Sequence, residues 1–323
     1  MTGKIAVEEH FAIDETLRES TEYALPGQSS VFERRMLDLD DERLREMDAH
    51  GIAFAILSLN APGVQSVFDR RKAIEVARRG NDALAAGIAR HPDRYAGFAA
   101  VAMQDPDAAI VELTRAVNDL GFKGVMVNGF SQVGDADTIV YYDDPRYRPF
   151  WATVAGLGVP FYLHPRDPLP NRVTFYDGHP WLRGASWAFG VETATHALRL
   201  MASGIFDTHP NLTAILGHLG EMLPYSIWRF DHRVTKRPRG IPARKTFTEY
   251  LRSNFYVTTS GNFHTNTLNA AIAELGPDRV LFSVDYPFEE CADAATWFDA
   301  CEIPEADRLK IGRTNATQLF NLK

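Results

Sequence analysis

Eight short runs of apolar and β-branched residues alternate with segments of helical periodicity along the whole chain. The runs show no strict alternation of apolar and polar residues, which is typical of parallel strands buried on both faces. We predict helices between them, for example over residues 41–49, 70–90, 107–120, 147–156, 191–203 and 266–275. The predicted strands span residues 4–7, 53–59, 95–102, 124–128, 160–164, 213–216, 255–259 and 280–283.

Eight strands that alternate with helices favour an α/β fold of the (β/α)8 TIM barrel type over a doubly wound sheet. No G-x-G-x-x-G or Walker-type loop follows any of the runs, so the strongest signal of a nucleotide fold is missing. Residues 16–32 and 165–188 interrupt the rhythm, and long insertions at the carboxyl ends of strands often form pocket walls. We therefore predict one barrel domain over residues 1–323, with insertions on its catalytic face.

The composition excludes several kinds of partner. The net charge of −8 leaves no basic stripe for a nucleic acid. No apolar run approaches the length of a membrane span, and the acidic start of the chain does not match a signal peptide. The chain has only two cysteines and a core large enough to need no disulfide, which is typical of proteins in a reducing compartment. We expect a soluble cytoplasmic protein.

Residue types that bind metals or transfer protons stand where four of the eight runs end. Glu8 and His10 follow KIAV, His164 follows PFYL, His218 follows AILG and Asp285 follows FSV. Parallel barrels present their catalytic groups at the carboxyl ends of their strands, and carboxylates and imidazoles bind Zn²⁺ or Mn²⁺. Each residue also has a structural alternative, such as a hydrogen-bonded rim histidine or, for Asp285, a helix N-cap. Together they indicate a metal-dependent barrel enzyme.

Three further polar residues are candidates for the same site. Glu221 follows His218 by about one helical turn and could orient its imidazole, although acids are also favoured in the first turn of a helix. Asn128 ends the fourth run and Arg229 lies in the segment WRFDH. Either could contact a substrate carboxylate or hydroxyl, and Arg229 could equally pair with Asp231.

Motifs along nearly the full chain resemble a known family. GKIAVEEHFAI, PFYLHPR, ILGHLGE and DRVLFSVDYPFE are similar to segments of the amidohydrolase superfamily, in particular of the non-oxidative aromatic acid decarboxylases related to aminocarboxymuconate-semialdehyde decarboxylase. The likeness is strongest to the decarboxylases of 2,6-dihydroxybenzoate, because the decarboxylases of 2,3-dihydroxybenzoate tend to have alanine where His10 stands. FSVDYPFE replaces the more typical FSTDWPFE, which bears on the preference for ring substituents.

The resemblance implies a set of roles at one site. It implies a single divalent ion, zinc or manganese with magnesium also possible, and no organic cofactor. Binuclear relatives carry a bridging lysine at the end of the fourth strand, where this chain has Asn128. Related barrels associate as dimers or tetramers, so we expect a homo-oligomer such as a homotetramer. The implied metal ligands are Glu8, His10, His164 and Asp285; the implied catalytic residues are Asp285, His218 and Glu221; and Asn128, Arg229, Tyr23, His10 and His164 are expected near the substrate.

The implied reaction is the reversible, non-oxidative decarboxylation of an ortho-hydroxybenzoate, namely 2,6-dihydroxybenzoate to resorcinol and CO2, with Asp285 as the candidate proton donor. Three alternatives remain open at this point. The substrate could be 2,3-dihydroxybenzoate or salicylate, the same metal could serve a lactone or amide hydrolase, or the barrel could bind an acid or sugar without catalysis.

Overall fold

Eight parallel strands form one sheet that curls into a barrel, and helices cover its outside, as the sequence predicts. The structure is a computed structural model, and it describes residues 1–24 and 26–322. Each barrel strand pairs with the next one along the chain. The strands are β1 (Lys4–Phe11), β2 (Ile52–Leu59), β3 (Tyr95–Ala100), β4 (Gly124–Asn128), β5 (Phe161–His164), β6 (Ala214–Leu216), β7 (Phe255–Thr258) and β8 (Val280–Leu281).

The helices follow the strands as expected of a (β/α)8 barrel. Their starts match sequence signals: the Asp69 and Asp105 carboxylates accept hydrogen bonds from the backbone N–H groups of Lys72 and Ala108, and Pro106 occupies the first turn after Asp105. The α-helices are α1 (Asp14–Ser20), α2 (Ser29–Leu37), α3 (Glu42–Ala49), α4 (Arg70–Arg90), α5 (Pro106–Asn118), α6 (Arg148–Leu157), α7 (Ala188–Ala202), α8 (Ile205–Thr208), α9 (Leu223–Lys236), α10 (Phe247–Asn254), α11 (Thr265–Leu275), α12 (Cys291–Ala300), α13 (Glu305–Leu309) and α14 (Asn315–Leu319).

The first and last strands differ from their predicted bounds. β1 does not stop at residue 7 but runs on to Phe11, because Glu9 and His10 continue the pairing with β2. β8 is shorter than predicted and ends at Leu281, because the N–H of Phe282 turns to the carbonyl of Ile311. The residue types at these two strand ends therefore did not show where the strand stops and the following loop begins.

The two interrupting segments contain local structure that their composition did not predict. Residues 16–32 contribute most of α1 and the start of α2. Residues 165–188 contain four single turns of 3₁₀ helix, at Pro170–Arg172, Thr174–Tyr176, Pro180–Leu182 and Gly184–Ser186. Both segments follow barrel strands at their carboxyl ends, so they lie on the face where the predicted site lies.

The barrel closes between β1 and the loop after β8 through single hydrogen bonds. The N–H of Asp285 donates to the carbonyl of Glu8 (3.1 Å), and the N–H of His10 donates to the carbonyl of Tyr286 (2.7 Å). An eight-stranded barrel sheet with one large apolar cluster packed around it supports our proposal that residues 1–323 form a single domain. Among the described residues, no helix combines the length and apolar character that a bilayer crossing requires.

Candidate metal centre

Four side chains of the types that bind divalent metals meet at the carboxyl end of the barrel. Glu8 and His10 lie on β1, His164 is the last residue of β5, and Asp285 lies in the loop after β8. One potential ligand atom from each residue lies within 4.8 Å of the other three. The gap from His10 Nε2 to Asp285 Oδ1 is 3.1 Å, and that from His164 Nε2 to Glu8 Oε1 is 3.3 Å. Ligands about 2.1 Å from a four-coordinate ion are roughly 3.4 Å apart, so the spacing fits a single ion.

The hydrogen bonding of these residues supports the fit. Glu8 Oε1, His10 Nε2 and Asp285 Oδ1 are buried and have no hydrogen-bond partner among the described residues. Buried polar atoms are almost always paired, since an unpaired one costs about 1–3 kcal/mol. One cation would satisfy all three of these neighbouring atoms.

A belt of hydroxyl groups fixes the other oxygen of Glu8. Glu8 Oε2 accepts hydrogen bonds from the hydroxyls of Tyr162, Thr258 and Ser260. Burial raises the pKa of Glu8, and the nearby imidazole of His218 partly opposes that rise. The hydroxyl belt therefore orients the carboxylate and leaves Oε1 directed at the cluster.

The two candidate histidine ligands are held in a form that binds metals. The Ser58 hydroxyl lies 3.1 Å from Nδ1 of His10, which leaves Nε2 facing the cluster. Burial lowers the pKa of His164 well below its ordinary value, and the neighbouring His10 lowers it further. A neutral imidazole keeps the lone pair that a metal needs.

Asp285 sits in a bend that few non-glycine residues adopt. Its φ is +82°, in a region that costs of order 1–3 kcal/mol and persists only where the surroundings enforce it. The alternative role of a helix N-cap is wrong, because α12 begins at Cys291 after Glu290. Burial raises the pKa of Asp285, but the imidazoles of His10 and His218 next to its carboxylate outweigh that effect and hold the pKa below the ordinary value.

His218 and Glu221 form the predicted pair just outside the cluster. His218 Nδ1 lies 2.7 Å from Glu221 Oε1, and His218 Nε2 lies 3.5 Å from Asp285 Oδ2. Burial lowers the pKa of His218, but the carboxylates of Glu221, Glu8 and Asp285 raise it well above the ordinary value. Glu221 is not in the first turn of a helix, since α9 begins at Leu223. The carboxylates around His218 thus favour its protonated form next to the candidate metal centre.

A cavity of about 820 Å³ opens beside these residues. Its wall carries one further acid, Glu289, whose pKa is raised to about 7 by burial and by the charge of Asp285. The end of the 165–188 insertion and the start of α9 form much of the rest, so the predicted insertion does line the pocket. The lining includes Trp187, Phe189, His218, Glu221, Met222, Tyr225, Asp285 and Glu289.

Three of the predicted substrate residues are not also candidate metal ligands, and the structure places two of these three near the candidate metal centre. Asn128 is buried beside His164 in the pairing of β4 with β5, and its Oδ1 has no partner among the described residues. The ring of Tyr23 packs edge-on against Phe189 and Phe288, and Phe288 in turn packs against His10.

The structure places Arg229 differently from the other candidates. It is exposed on α9 and is absent from the cavity wall that the described residues form. Asp231, its alternative partner, accepts hydrogen bonds from the backbone N–H groups of Phe247 and Thr248 instead. The expected substrate contact of Arg229 stays a prediction.

Sequence reasoning missed the hydroxyl belt around Glu8, although a signal for it exists. Tyr162 precedes His164 by two residues on β5, and alternate residues of a strand point to the same side. Thr258 and Ser260 are spaced in the same way at the end of β7. A hydroxyl two residues from a strand-end ligand is therefore worth examining in other barrels.

Comparison with known protein families gives a match over most of the chain. The family model described as Amidohydrolase matches residues 33–322. The chain is 60% identical to a gamma-resorcylate decarboxylase of Rhizobium radiobacter, over 100% of this chain and 99% of that protein.

Two solved structures are similar over the full fold. One is a 2,6-dihydroxybenzoate decarboxylase complexed with 2,6-dihydroxybenzoate, with 60% identity, a TM-score of 0.98 and coverage of 100% of both chains. The other, from Polaromonas sp. JS666, is a dihydroxybenzoic acid decarboxylase with bound manganese and the inhibitor 2-nitroresorcinol. It shows 55% identity and a TM-score of 0.97, over 100% of this chain and 98% of that one.

Proposed function

Because this chain belongs to the amidohydrolase family, within which its full-length relatives decarboxylate aromatic acids, we propose that it is a metal-dependent decarboxylase of 2,6-dihydroxybenzoate. The reaction is non-oxidative and reversible and gives resorcinol and CO2. One observation carries the proposal: the unpaired, buried ligand atoms of Glu8, His10 and Asp285 lie close together, and Asp285 also lines a cavity together with His218.

We propose one divalent ion, Mn²⁺ or Zn²⁺ with Mg²⁺ possible, bound by Glu8, His10, His164 and Asp285. When bound, the ion would hold the substrate carboxylate and one ortho oxygen and stabilise negative charge on that oxygen. Asn128 ends the fourth strand without a lysine, which supports a single ion. No organic cofactor is needed, since the phenol ring itself accepts the electron pair.

Asp285 is the proposed proton donor to the ring. Direct loss of CO2 from a benzoate would leave an aryl carbanion without stabilisation. A proton from Asp285 to the ring carbon that bears the carboxylate avoids this, because the phenolate oxygen supplies the electrons for the new C–H bond. The C–C bond then breaks, its electron pair restores the aromatic ring, and CO2 leaves.

His218 supplies the proton that Asp285 needs. The low pKa of Asp285 makes it a poor proton reservoir, but His218 remains protonated near neutral pH and its Nε2 lies 3.5 Å from Asp285 Oδ2. Glu221 holds the imidazole in place through Nδ1. The chain therefore contains a route for one proton per turnover, from His218 through Asp285 to the ring.

The substrate ring fits the aromatic side of the site. Tyr23, Phe189 and Phe288 form a run of edge-on ring contacts that ends at His10. Asn128 presents an amide with an unpaired oxygen that can accept a hydrogen bond from a substrate hydroxyl. We keep Arg229 as a further candidate for the substrate carboxylate.

We also propose that the chain forms a homo-oligomer, a dimer or a tetramer. Large apolar side chains are exposed near the mouth of the cavity, where Tyr225 is 90% and Trp228 67% exposed. Contiguous apolar patches of this kind mark interaction sites.

The test is to load the purified protein with Mn²⁺, Zn²⁺ or Mg²⁺ and to follow 2,6-dihydroxybenzoate, resorcinol and CO2. We expect equimolar resorcinol and CO2, with turnover lost on chelation. Asp285→Asn, with its metal content measured, should lower kcat by about 100-fold or more. Metal-loaded wild-type protein without turnover would refute the decarboxylase, and near-full turnover in metal-loaded Asp285→Asn would refute the role of Asp285.

The same assay separates the alternatives. Salicylate lacks the second ortho hydroxyl, and 2,3-dihydroxybenzoate carries its second hydroxyl at the meta position. Faster turnover of either one would reassign the substrate, and hydrolysis of a lactone or an anilide by the same loaded protein would reassign the reaction.

A further inference from the structure

Glu9 is a buried acid that lies between two candidate metal ligands and faces away from them. It is only 4% exposed, and side chains alternate along β1, so Glu8 and His10 point to the cluster with His164 and Asp285 while Glu9 points to the other side. The positive charge of Arg43 acts on this carboxylate, but its guanidinium donates hydrogen bonds to backbone carbonyls. A fully buried acid also needs hydrogen-bond donors of its own.

The Glu9 carboxylate instead binds the loop that carries Asp285. Glu9 Oε1 accepts hydrogen bonds from the Ser283 hydroxyl (2.8 Å) and from the N–H of Val284 (2.9 Å). Glu9 Oε2 accepts one from the N–H of Tyr286 (3.2 Å). The two backbone donors come immediately before and immediately after Asp285, so one carboxylate holds the chain on both sides of that residue.

This loop has to be held because of its conformation. Asp285 has a φ of +82°, which an aspartate does not adopt without enforcement. The backbone of β1 supplies two more bonds, from the Asp285 N–H to the Glu8 carbonyl and from the His10 N–H to the Tyr286 carbonyl. Arg43 adds a bond to the His10 carbonyl and lies over the Tyr286 ring, 4.8 Å from its centroid. The bend is thus fixed from the side opposite the cavity.

We propose that Glu9 is a positioning residue for the metal centre: its carboxylate enforces the bend that aims Asp285 at the ion, and Glu9 itself touches neither ion nor substrate. The inference rests on the proposed function for the role of Asp285. The carboxylate is specific to this task, because it is an acceptor only and meets three donors with its two oxygens. Glutamine has the same shape but brings an NH2 group against at least one of those donors.

The first experiment compares metal affinity in Glu9→Gln with that of a matched control. Asn315→Ala disturbs the start of β8, at the opposite end of that strand from the loop that carries Asp285. The Asn315 amide donates hydrogen bonds to the carbonyls of Pro277 and Val280. We expect Glu9→Gln to weaken Mn²⁺ binding at least tenfold, in the range for residues that orient ligands. Asn315→Ala should lower the melting temperature and leave the Mn²⁺ affinity within about twofold. Equal losses of affinity in both variants would mean that Glu9 only stabilises the strand, and would overturn the proposal.

A double-mutant cycle with Asp285→Asn identifies the residue through which Glu9 acts. If Glu9 works by aiming Asp285, then Glu9→Gln should change Mn²⁺ affinity by less than about twofold once Asp285 is already Asn. A full tenfold loss in that background would overturn the proposal. Glu9→Asp keeps the charge but retracts the oxygens, and we expect an intermediate affinity; it replaces Glu9→Gln in the cycle if the glutamine variant does not fold.

These readouts separate the two levels of inference. Mn²⁺ affinity is measured by competition with a chelator and does not require turnover. Wild-type protein that binds Mn²⁺ but does not decarboxylate 2,6-dihydroxybenzoate would refute the proposed function, and the affinity cycle would still decide the role of Glu9. In an active enzyme, Glu9→Gln saturated with Mn²⁺ should lower kcat more than it raises KM, because a misdirected Asp285 impairs proton delivery.

Discussion

The two carboxylate oxygens of Glu8 have different surroundings. Three hydroxyls bind Oε2, and Oε1 is left unpaired toward the candidate ion. Burial raises the pKa of this acid, whereas a bound cation would favour its charged form. The hydroxyl belt favours the same form, because it stabilises the charged carboxylate.

Removal of one hydroxyl should therefore weaken metal binding. We expect Tyr162→Phe to lower the Mn²⁺ affinity about tenfold, measured by chelator competition. Tyr95→Phe is the control, since the Tyr95 hydroxyl is buried without a partner among the described residues. An unchanged affinity in Tyr162→Phe would show that Tyr162 does not help to hold Glu8.

A histidine outside the candidate metal centre should make stability depend on pH. Burial and, to a smaller extent, the charge of Arg199 together lower the pKa of His196 to about 3. Its Nε2 accepts a hydrogen bond from the N–H of Tyr142, and the rings of Tyr141 and Tyr142 pack against it. The ordinary pKa of 6.5 applies in the unfolded chain.

The sign follows from proton uptake. Between pH 6.5 and about 3 the unfolded chain binds a proton at His196 that the folded chain does not bind. This contribution to stability is complete above pH 6.5 and is lost as the pH falls, by at most about 1.4 kcal/mol per pH unit. His196→Gln keeps an acceptor for Tyr142 and should flatten the fall in unfolding free energy between pH 6.5 and 4.5. Parallel profiles for wild type and variant would contradict this.

At the scale of the strands, the end of β6 leaves room for Glu8. A Cβ on Gly217 would lie 2.9 Å from both carboxylate oxygens of Glu8, closer than such contacts occur. Glu8 cannot move aside, because its other oxygen is fixed by three hydroxyls. The glycine directly before His218 therefore leaves the space that the Glu8 carboxylate occupies.

We expect Gly217→Ala to weaken Mn²⁺ binding at least tenfold while the barrel still folds. Gly97→Ala on β3 is the matched control, because the close contacts of its Cβ are apolar side chains, Leu84 at 2.7 Å and Ile88 at 3.2 Å. That variant should lower the melting temperature by overpacking and leave metal affinity unchanged. The measurements are circular dichroism melting and chelator competition, and equal metal affinity in the two variants would argue against the steric role of Gly217.

The bounds of helices and strands were predictable where the apolar periodicity is strong. They were not predictable where contacts with residues distant in the sequence determine the course of the backbone. The long helix α4 has the predicted bounds, because its apolar stripe and its Asp69 cap agree. The bounds of β1 and β8 were wrong, because pairing partners rather than local composition end a strand. The bend at Asp285 has no sequence signal at all, since it arises from bonds to Glu8 and Glu9, which lie far away in the chain.

At the scale of the whole molecule, the proposed homo-oligomer should depend on α9. We expect light scattering to give a mass that is a multiple of the chain mass, and Tyr225→Glu combined with Trp228→Glu to give the monomer. Val111→Glu changes another exposed apolar residue, 70% exposed on α5, and should leave the assembly intact. A monomeric wild type would refute the oligomer.

The barrel and the grouping of its candidate metal ligands were predictable from one regularity. Parallel strands share one edge, so residues that end different strands meet in space whatever their separation in sequence. This placed Glu8, His10, His164 and Asp285 together correctly. The same rule does not apply to Arg229, which lies on a helix after the strand and is exposed. A residue on such a helix can face either the cavity or the solvent, and the sequence does not show which.

The join between β1 and the loop after β8 has a consequence for synthesis. Glu8 and His10 are synthesised long before Asp285. Until the final strand is in place, the early candidate ligands lack Asp285 to complete the cluster, and β1 has no neighbour on one side. The proposed ion site is therefore complete only in the closed barrel, and metal binding in that geometry would report that the barrel has closed.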